Sequence, residues 1–419
     1  MKRGPDSIEL SDALMASNNK HQTLIIFQIL AKEDYVIAGP TSNEKTRNMN
    51  ILHTPARFYP YLGGVEKYVL TLSQELVKKG HNVAVLCANE PLGKTTDDYL
   101  GIRIKKLRSI GKLANTNITP LLPLELLKED FDIIHTHIPT PWSADFSSIV
   151  SVLKQVPLIV TYHNDIGGRG VYRPIASLYN STLLNFVLKS AKCVIITNPY
   201  FTTPYLLRYH NKIKIVPNCV DTTVFTPVPR RMTGDIFFLS VLDTYHHYKG
   251  LEILLAAIQY LVNDIPDIKV IVGGSGPMKE YYINLSRSAG LSQNVDFVGD
   301  IPDNSLPDYY NCCRMAILPS TDSTREGFGI VLLEAMACGR PVISTDITGV
   351  AGDIRLHGTG LVIEPGDAAA LAEAITILLN NPGLAARMGT AGRSLVEKKY
   401  RSDIVAEQVE SIYYHAARF

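Results

Sequence analysis

The sequence predicts an α/β protein made of two doubly wound parallel-sheet halves in succession. Three observations carry that reading. Short, continuous apolar runs of buried-strand type alternate with helical segments through most of the chain. The alternation stops at a proline- and arginine-containing stretch, Thr222–Gly234, and then starts again. At 419 residues the chain is also too long for one core, which asks for two or three domains.

The elements follow in order. Residues 1–48 are mixed and weakly periodic, and they end in the polar run from Thr41 to Asn48. They read as a disordered or mispredicted extension, with Met49 the expected natural start, directly ahead of the strand-like Ile51-Leu52-His53. Gly63-Gly64 precede a helix whose apolar positions Val65, Val69, Leu72, Leu76 and Val77 keep 3.6-residue spacing until Gly80 stops it. Buried-strand runs come next at Asn82–Cys87, Ile133-Ile134, Pro157–Val160, Cys193–Ile196 and Ile213–Val216. After the break, strands are expected at Ile236–Val241, Ile268–Val272, Met315–Leu318 and Val342–Ser344, with helices at Leu251–Ile258 and Ile330–Ala337. The resulting division is an N-terminal Rossmann-like domain over 49–222, a linker over 223–234, a second Rossmann-like domain over 235–400, and a final amphipathic helix over 401–419 expected to pack back on the first domain. Two such halves face each other across a cleft at the carboxyl ends of their strands.

Composition narrows the function. Charged residues are 19% and apolar ones 46%, and the formal net charge is +1, so nothing argues for nucleic-acid binding. The basic run Arg103-Ile104-Lys105-Lys106-Leu107-Arg108 reads first as a solvated strand face and second as a contact for an anionic membrane surface. No apolar run approaches the roughly 20 residues that span a bilayer, and no signal-peptide pattern opens the chain. Of the six cysteines, Cys87 and Cys193 lie in apolar runs, and adjacent Cys312-Cys313 pair poorly, so reduced thiols in a cytoplasmic protein are expected.

The most informative segment is Ser323-Thr324-Arg325-Glu326-Gly327-Phe328-Gly329, running into the helix that carries Glu334. Glycines between a strand end and a helix start let backbone N–H groups approach an anion without a Cβ in the way. Glu334, about one and a half turns into the helix, is placed to reach a hydroxyl such as a ribose, while Glu326 stays in the loop, free to face a second group. The alternative is a plain capping loop with two unrelated carboxylates. The segment resembles the E-x7-E signature of the retaining GT-B glycosyltransferases of glycosyltransferase family 4 (glycosyl transferases group 1). Leu318-Pro319-Ser320 and Gly339-Arg340-Pro341-Val342-Ile343 match on either side. The resemblance runs from about Met49 to the C-terminus.

The resemblance implies a GT-B fold and roles for further residues. Glu326 would face the donor sugar and Glu334 the ribose. Gly63 and Gly64, in Phe58–Glu66, would come close to the donor diphosphate and the acceptor. His163, in Val160–Asp165, would contact the donor sugar, and Lys249, in Tyr248-Lys249-Gly250, would neutralise the diphosphate. Gly276, Gly299 and Ile301, in two strand-end loops, would line the nucleotide pocket beside Gly327, Phe328 and Gly329. Val216–Asp221 would orient the hinge. One departure stands out: the family's usual arginine upstream of the lysine is Val241 here, so a charge-assisted hydrogen bond worth roughly 1.5–3 kcal/mol is missing or supplied elsewhere, with Arg325 a candidate. Asp130-Phe131-Asp132 imitates a metal motif but leads into a buried strand. His135 and His137 were open to a metal reading, yet as alternate residues expected to point one in and one out they receive no metal.

The expected function is therefore a retaining, metal-independent hexosyltransferase, moving sugar from a nucleotide sugar (UDP- or GDP-linked) to a glycan or lipid-linked acceptor. No cofactor and no nucleic acid are expected, and a peripheral contact with the inner membrane face is the further partner the family implies. A catalytically silent GT-B scaffold or a sugar-nucleotide epimerase of related fold is the alternative.

Overall fold

A computed structural model describes residues 47–61, 63–113, 116–166, 172–199 and 203–417. The expected N-terminal extension lies outside these residues, except for Arg47 and Asn48. Met49 is fully buried; its N–H donates to His81 Nδ1 (3.1 Å) and its carbonyl accepts from Asn82 N (2.9 Å).

The chain divides into two compact units: one holds residues through Tyr61, Gly80–Val216 and Gln408–Phe419, the other Leu62–Lys79 and Pro217–Glu407. This differs from the contiguous division read from the sequence. The helix Gly64–Lys78, expected in the first domain, groups with the second unit. Its side chains explain the grouping: Lys67 Nζ lies 2.6 Å from Asp303 Oδ1, and Glu75 Oε1 accepts from Ser402 Oγ at 3.1 Å.

The sheet of the first unit contains β1 (Asn50–Thr54), β2 (Asn82–Ala88), β3 (Thr96–Tyr99) and β4 (Ile102–Leu107). A separate two-stranded ribbon is formed by β5 (Lys112–Leu113) and β6 (Thr116–Asn117). The main sheet continues with β7 (Ile133–Ile138), β8 (Leu158–Tyr162), β9 (Cys193–Ile196) and β10 (Ile213–Ile215), in the order β10-β9-β8-β7-β1-β2-β4-β3. All pairs are parallel except β3 with β4. Parallel strands covered on both faces are mostly apolar; β7 and β8 are buried at every position, although β7 carries His135, Thr136 and His137 and β8 carries Thr161. Leu52, Ile134, Val160 and Val194 pack with Leu184, Val187 and Leu188 of the helix Leu183–Ser190. The basic face of β4 is neutralised in place, with Arg103 on Glu129 (2.8 Å) and Lys105 on Glu125.

The second unit carries β11 (Gly234–Leu239), β12 (Val270–Gly273), β13 (Val295–Gly299), β14 (Cys313–Leu318), β15 (Val342–Thr345) and β16 (Gly360–Ile363), all parallel, in the order β13-β12-β11-β14-β15-β16. Counted from its own first strand this is 3-2-1-4-5-6, the Rossmann order. Successive side chains of β11 enter opposite layers, as strand geometry requires. Ile236 and Phe238 pack under Leu254, Ile258, Leu371 and Ile375, whereas Phe237 packs with Tyr310, Leu332, Leu333 and Met336. β13, whose residues from Phe297 on read in the sequence as part of a strand-end loop over 297–301, is a half-buried edge strand whose Asp296 is exposed, so it lacks the continuous apolar run that marks the others.

In each sheet the chain reverses its winding at one place, between β1 and β7 and between β11 and β14. Loops leaving the carboxyl ends of strands on either side of such a point diverge and leave a crevice for a ligand. Among the described residues, no single helix is long and apolar enough to cross a membrane.

Candidate functional site

In the second unit, the loops after β11 and β14 leave the two sides of the switch point, and they bring Lys249 and Glu326 together. Lys249 Nζ lies 3.0 Å from Glu326 Oε1 and 2.9 Å from Oε2, and Ser320 Oγ donates to Oε2 as well. The Glu326 side chain is 1% exposed. Burial alone would lower the lysine's affinity for its proton, but the Glu326 carboxylate and the Tyr248 ring oxygen overcome this and hold the ammonium above its ordinary range. Two charges this enclosed persist only as a pair; removing one partner of a buried ion pair costs about 3–5 kcal/mol.

The loops themselves are locked. Asp243 Oδ1 accepts from the N–H groups of Tyr245 and His246 (2.8 Å each), turning the chain into the short helix His247–Lys249. Thr321 N–H donates to Tyr248 O at 2.8 Å, tying the β14 loop to the β11 loop. Gly250 follows at φ +82°, and a Cβ there would stand 2.0 Å from Pro319 O, so this junction admits glycine only. On the other side Asp322 O accepts from Glu326 N–H (3.0 Å), closing the turn that aims the glutamate inward.

Glu334 lies on the helix Ile330–Ala337, 5% exposed, and accepts from Tyr310 OH at 2.6 Å. Burial raises its carboxyl above the usual range; the charge of Lys67 and the Tyr310 hydroxyl pull the other way without cancelling it. Lys67, for its part, would be lowered by burial but is raised overall by Glu334 and Asp303. An ionised Glu334 thus costs stability at neutral pH. Replacing it by glutamine, which keeps the Tyr310 contact, should raise the melting temperature by a few degrees, about 2–4 °C per kcal/mol. If it binds a ribose as the resemblance implies, nucleotide affinity should fall about tenfold or more. Melting and nucleotide titration of Glu334→Gln check both; a lower melting temperature would contradict the electrostatic account.

The other expected donor residues sort into three groups. Gly327 is half-buried beside Glu326, and Gly329 caps the helix in the left-handed region (φ +93°). The glycines at 276 and 299 have structural reasons of their own. A Cβ at Gly276 would meet Leu242 O at 2.3 Å, and Gly299 has φ +77° where its carbonyl accepts from Gly274 N–H (2.7 Å). Ile301 is half-buried and lies against Gly273. Phe328 has its ring in the core, 5.8 Å from that of Tyr400, so only its backbone is left to face a ligand. Gly64 is the opposite case: nothing within 4 Å would meet a Cβ there, and its neighbour Gly63 has φ −84°. Packing does not demand the glycine at 64, and backbone geometry does not demand the one at 63.

Val241 is 47% exposed and offers no charge. Arg325, the candidate replacement, lies in the loop after β14. Its Nε lies 3.4 Å from Asp322 Oδ2, and its charge reaches Tyr248, the neighbour of Lys249. Its Nη1 is buried without a hydrogen-bond partner among the described residues. Sequence reasoning assigned no role to Lys67, Tyr310 or Ser320. Ser320 stands inside a quoted motif; Lys67 and Tyr310 become visible only once the helices are placed.

His163 belongs to the first unit, just beyond β8, and is 7% exposed. His135 and His137 do not point one in and one out: both are fully buried, their rings 4.5 Å apart. Residues two apart on a strand share a face, which corrects the sequence expectation.

Residues 62–224 match the family Glycosyltransferase Family 4, and residues 227–395 match the family Glycosyl transferases group 1. O-antigen chain mannosyltransferase C of Escherichia coli is 28% identical over 377 residues, covering 87% of this chain and 98% of that protein. Phosphatidyl-myo-inositol mannosyltransferase of Mycobacterium leprae is 25% identical, covering 84% and 92%. Among solved structures, sucrose-phosphate synthase of Thermosynechococcus elongatus aligns with a TM-score of 0.71 at 25% identity, over 88% of this chain and 99% of that one. HepE of Anabaena, solved with UDP, aligns with a TM-score of 0.70 at 18% identity, over 88% and 100%, a likeness of fold.

Proposed function

Because the chain belongs to the family 4, group 1 glycosyltransferases, with their GT-B fold, we propose that it moves a hexosyl group from a nucleoside-diphosphate sugar to a hydroxyl of a glycan or lipid-linked acceptor, retaining the anomeric configuration and using no metal. The observation that carries this reading is the buried Lys249–Glu326–Ser320 cluster at the switch point of the second sheet. A glycosyl donor breaks its C1–O bond by shedding a diphosphate that gathers negative charge, and a cation already in place stabilises it without reorganisation. Lys249 is that cation, and Arg325 supplies the second charge in place of the arginine missing at Val241. The relatives' names support the acceptor class, since one acts on an O-antigen chain and another on phosphatidyl-myo-inositol.

Glu326 has both carboxylate oxygens engaged, which suits holding a sugar hydroxyl and Lys249 in register better than attacking C1. The acceptor oxygen then attacks C1 on the face the diphosphate leaves. Its proton passes to the departing phosphate oxygen, so the new C1–O bond forms as the old one breaks.

Thermal unfolding against UDP, GDP, ADP and their common sugar conjugates tests the reading. A matching nucleotide at about 100 times its dissociation constant adds about 2.7 kcal/mol to the native state. A selective shift names the donor base, and NMR of the transferred sugar's anomeric proton then reads the stereochemistry. No shift with any nucleotide would favour a silent scaffold instead.

A further inference from the structure

The second unit holds a lysine that its own packing does not explain. Lys279 opens the helix Lys279–Ser288. A cation there meets the positive end of the helix dipole, where acidic side chains are favoured instead. Lys279 is also half-buried, and its ammonium has no hydrogen-bond or ion-pair partner among the described residues. Lys249 and Lys67, half-buried in the same unit, are by contrast held by Glu326 (2.9 Å) and Asp303 (2.6 Å). A lysine that served only as a solvated surface charge would carry its head into water.

Three loops fix where this one points. Gly274 N–H donates to Gly299 O (2.7 Å), Leu242 N–H donates to Ser275 O (2.9 Å), and Met278 N–H donates to Leu242 O (2.8 Å). The segment after β12 is thus clamped between the chain leaving β11 and the end of β13, and the helix of Lys279 starts from that clamp. The ammonium stands beside Gly299, 3.4 Å from the place a Cβ would take. It therefore lies at the carboxyl end of the sheet, on the β13 side.

That is where the far end of a nucleotide falls. On the transferase reading, the diphosphate lies at Lys249, between the loops of β11 and β14, and Glu334 marks the ribose. The charges of Lys67 and Asp303 both act on the Glu334 carboxyl, and Asp303 belongs to the loop after β13. The line from diphosphate to ribose thus runs toward β13, and the base, one step further on, meets the loops that carry Gly299 and Lys279.

A cation at the edge of a base chooses between bases. Guanine carries an oxygen at C6 beside the acceptor N7, and uracil carries one at C4; adenine and cytosine have an amino group at the same places. An ammonium has three donors and no acceptor. It satisfies the oxygen and stands donor to donor against the amino group. We propose that Lys279 is a specificity-determining residue: its ammonium donates to the oxygen at purine C6 or pyrimidine C4, so that the donor's base is guanine or uracil and not adenine or cytosine. The placement of the base rests on the transferase reading; the position of the lysine does not.

Calorimetric titration of the full chain with GDP, UDP, ADP, CDP and inorganic pyrophosphate tests the assignment. GDP or UDP should bind at least about tenfold more tightly than ADP and CDP. Lys279→Met keeps the length of the stem and removes the donors. It should cost the preferred nucleotide about ten- to hundredfold in affinity, leave ADP and pyrophosphate as they were, and melt no lower than the wild type without ligand. Lys279→Gln, whose amide both donates and accepts, should bind the amino bases better than the wild type does. ADP or CDP binding as tightly as GDP and UDP in the wild type would overturn the proposal. So would an equal loss for every nucleotide and for pyrophosphate in Lys279→Met, the mark of a phosphate contact, or no loss at all. Binding of none of the nucleotides would overturn the transferase reading, and this assignment with it.

Discussion

Replacing Glu326 by glutamine is expected to lower the turnover of sugar transfer by about 10²- to 10³-fold, the loss seen when one preorganised charge-stabilising contact is removed from an active site. Glutamine keeps the shape and can still accept from Ser320, but it cannot balance Lys249, whose Nζ now sits 2.9–3.0 Å from both carboxylate oxygens. The buried ammonium would then lose its counter-charge and its geometry. Alanine is the less informative change, because it adds a cavity to the same uncompensated charge and confuses catalysis with folding. Steady-state kinetics with the donor found by thermal shift, together with circular dichroism of the variant, check the prediction. A folded Glu326→Gln enzyme within threefold of wild-type turnover would remove Glu326 from the mechanism.

The second large effect is acid unfolding of the first unit. Its four clustered histidines, His53, His135, His137 and His163, are neutral when folded, held there by burial, His53 and His163 to about pH 3 and His135 and His137 also far below their ordinary value. Unfolded histidine protonates near 6.5. Their stabilisation is thus complete above about pH 6.5 and is lost progressively as the pH falls toward about 3. Two carboxyls oppose this: burial pushes Asp145 up to about 6 and raises Asp165, so these take up protons in the folded unit. A net uptake of about two to three protons remains, or about 3–4 kcal/mol per pH unit below about pH 6. For a unit at the low end of the usual domain range, about 5 kcal/mol, that loss is complete between about pH 5 and 4, and a more stable unit unfolds closer to about pH 3. The chain's one tryptophan, Trp142, reports on this unit alone; its Nε1–H donates to Thr119 O (3.1 Å) and its ring packs on Phe146. A tryptophan emission spectrum unchanged down to pH 3 would show that the histidines are not neutral and buried as described.

Much of the fold was legible because parallel strands announce themselves. Asn82–Cys87, Cys193–Ile196 and Met315–Leu318 are apolar at nearly every position, as sheets covered on both faces demand, and all lie in strands. Edge strands such as β13 carry a mixed pattern and were not visible. Lys249 and Glu326 were legible from short motifs whose spacing survives in sequence, even though the residues are far apart along the chain. What holds Glu334 was not, because Lys67 reaches it from a helix that precedes it by more than two hundred residues and that groups with the second unit. The histidine cluster was missed because it is built across strands: the β1–β7 register sets His53 opposite His135, and its ring reaches His137 at 3.2 Å, a neighbourhood that no single-strand pattern contains.

The contact at Gly250 also limits what this chain can become. Any side chain there would wedge against Pro319 and push apart the two loops that carry Lys249 and Glu326. A laboratory lineage selected for a new donor therefore has no productive step at that position, however large its library. Variation has room at Val241, half exposed on the same loop, where an introduced arginine meets solvent rather than packed backbone. The freedom to change partner and the obligation to keep the charges aimed thus fall on residues nine apart in one short loop.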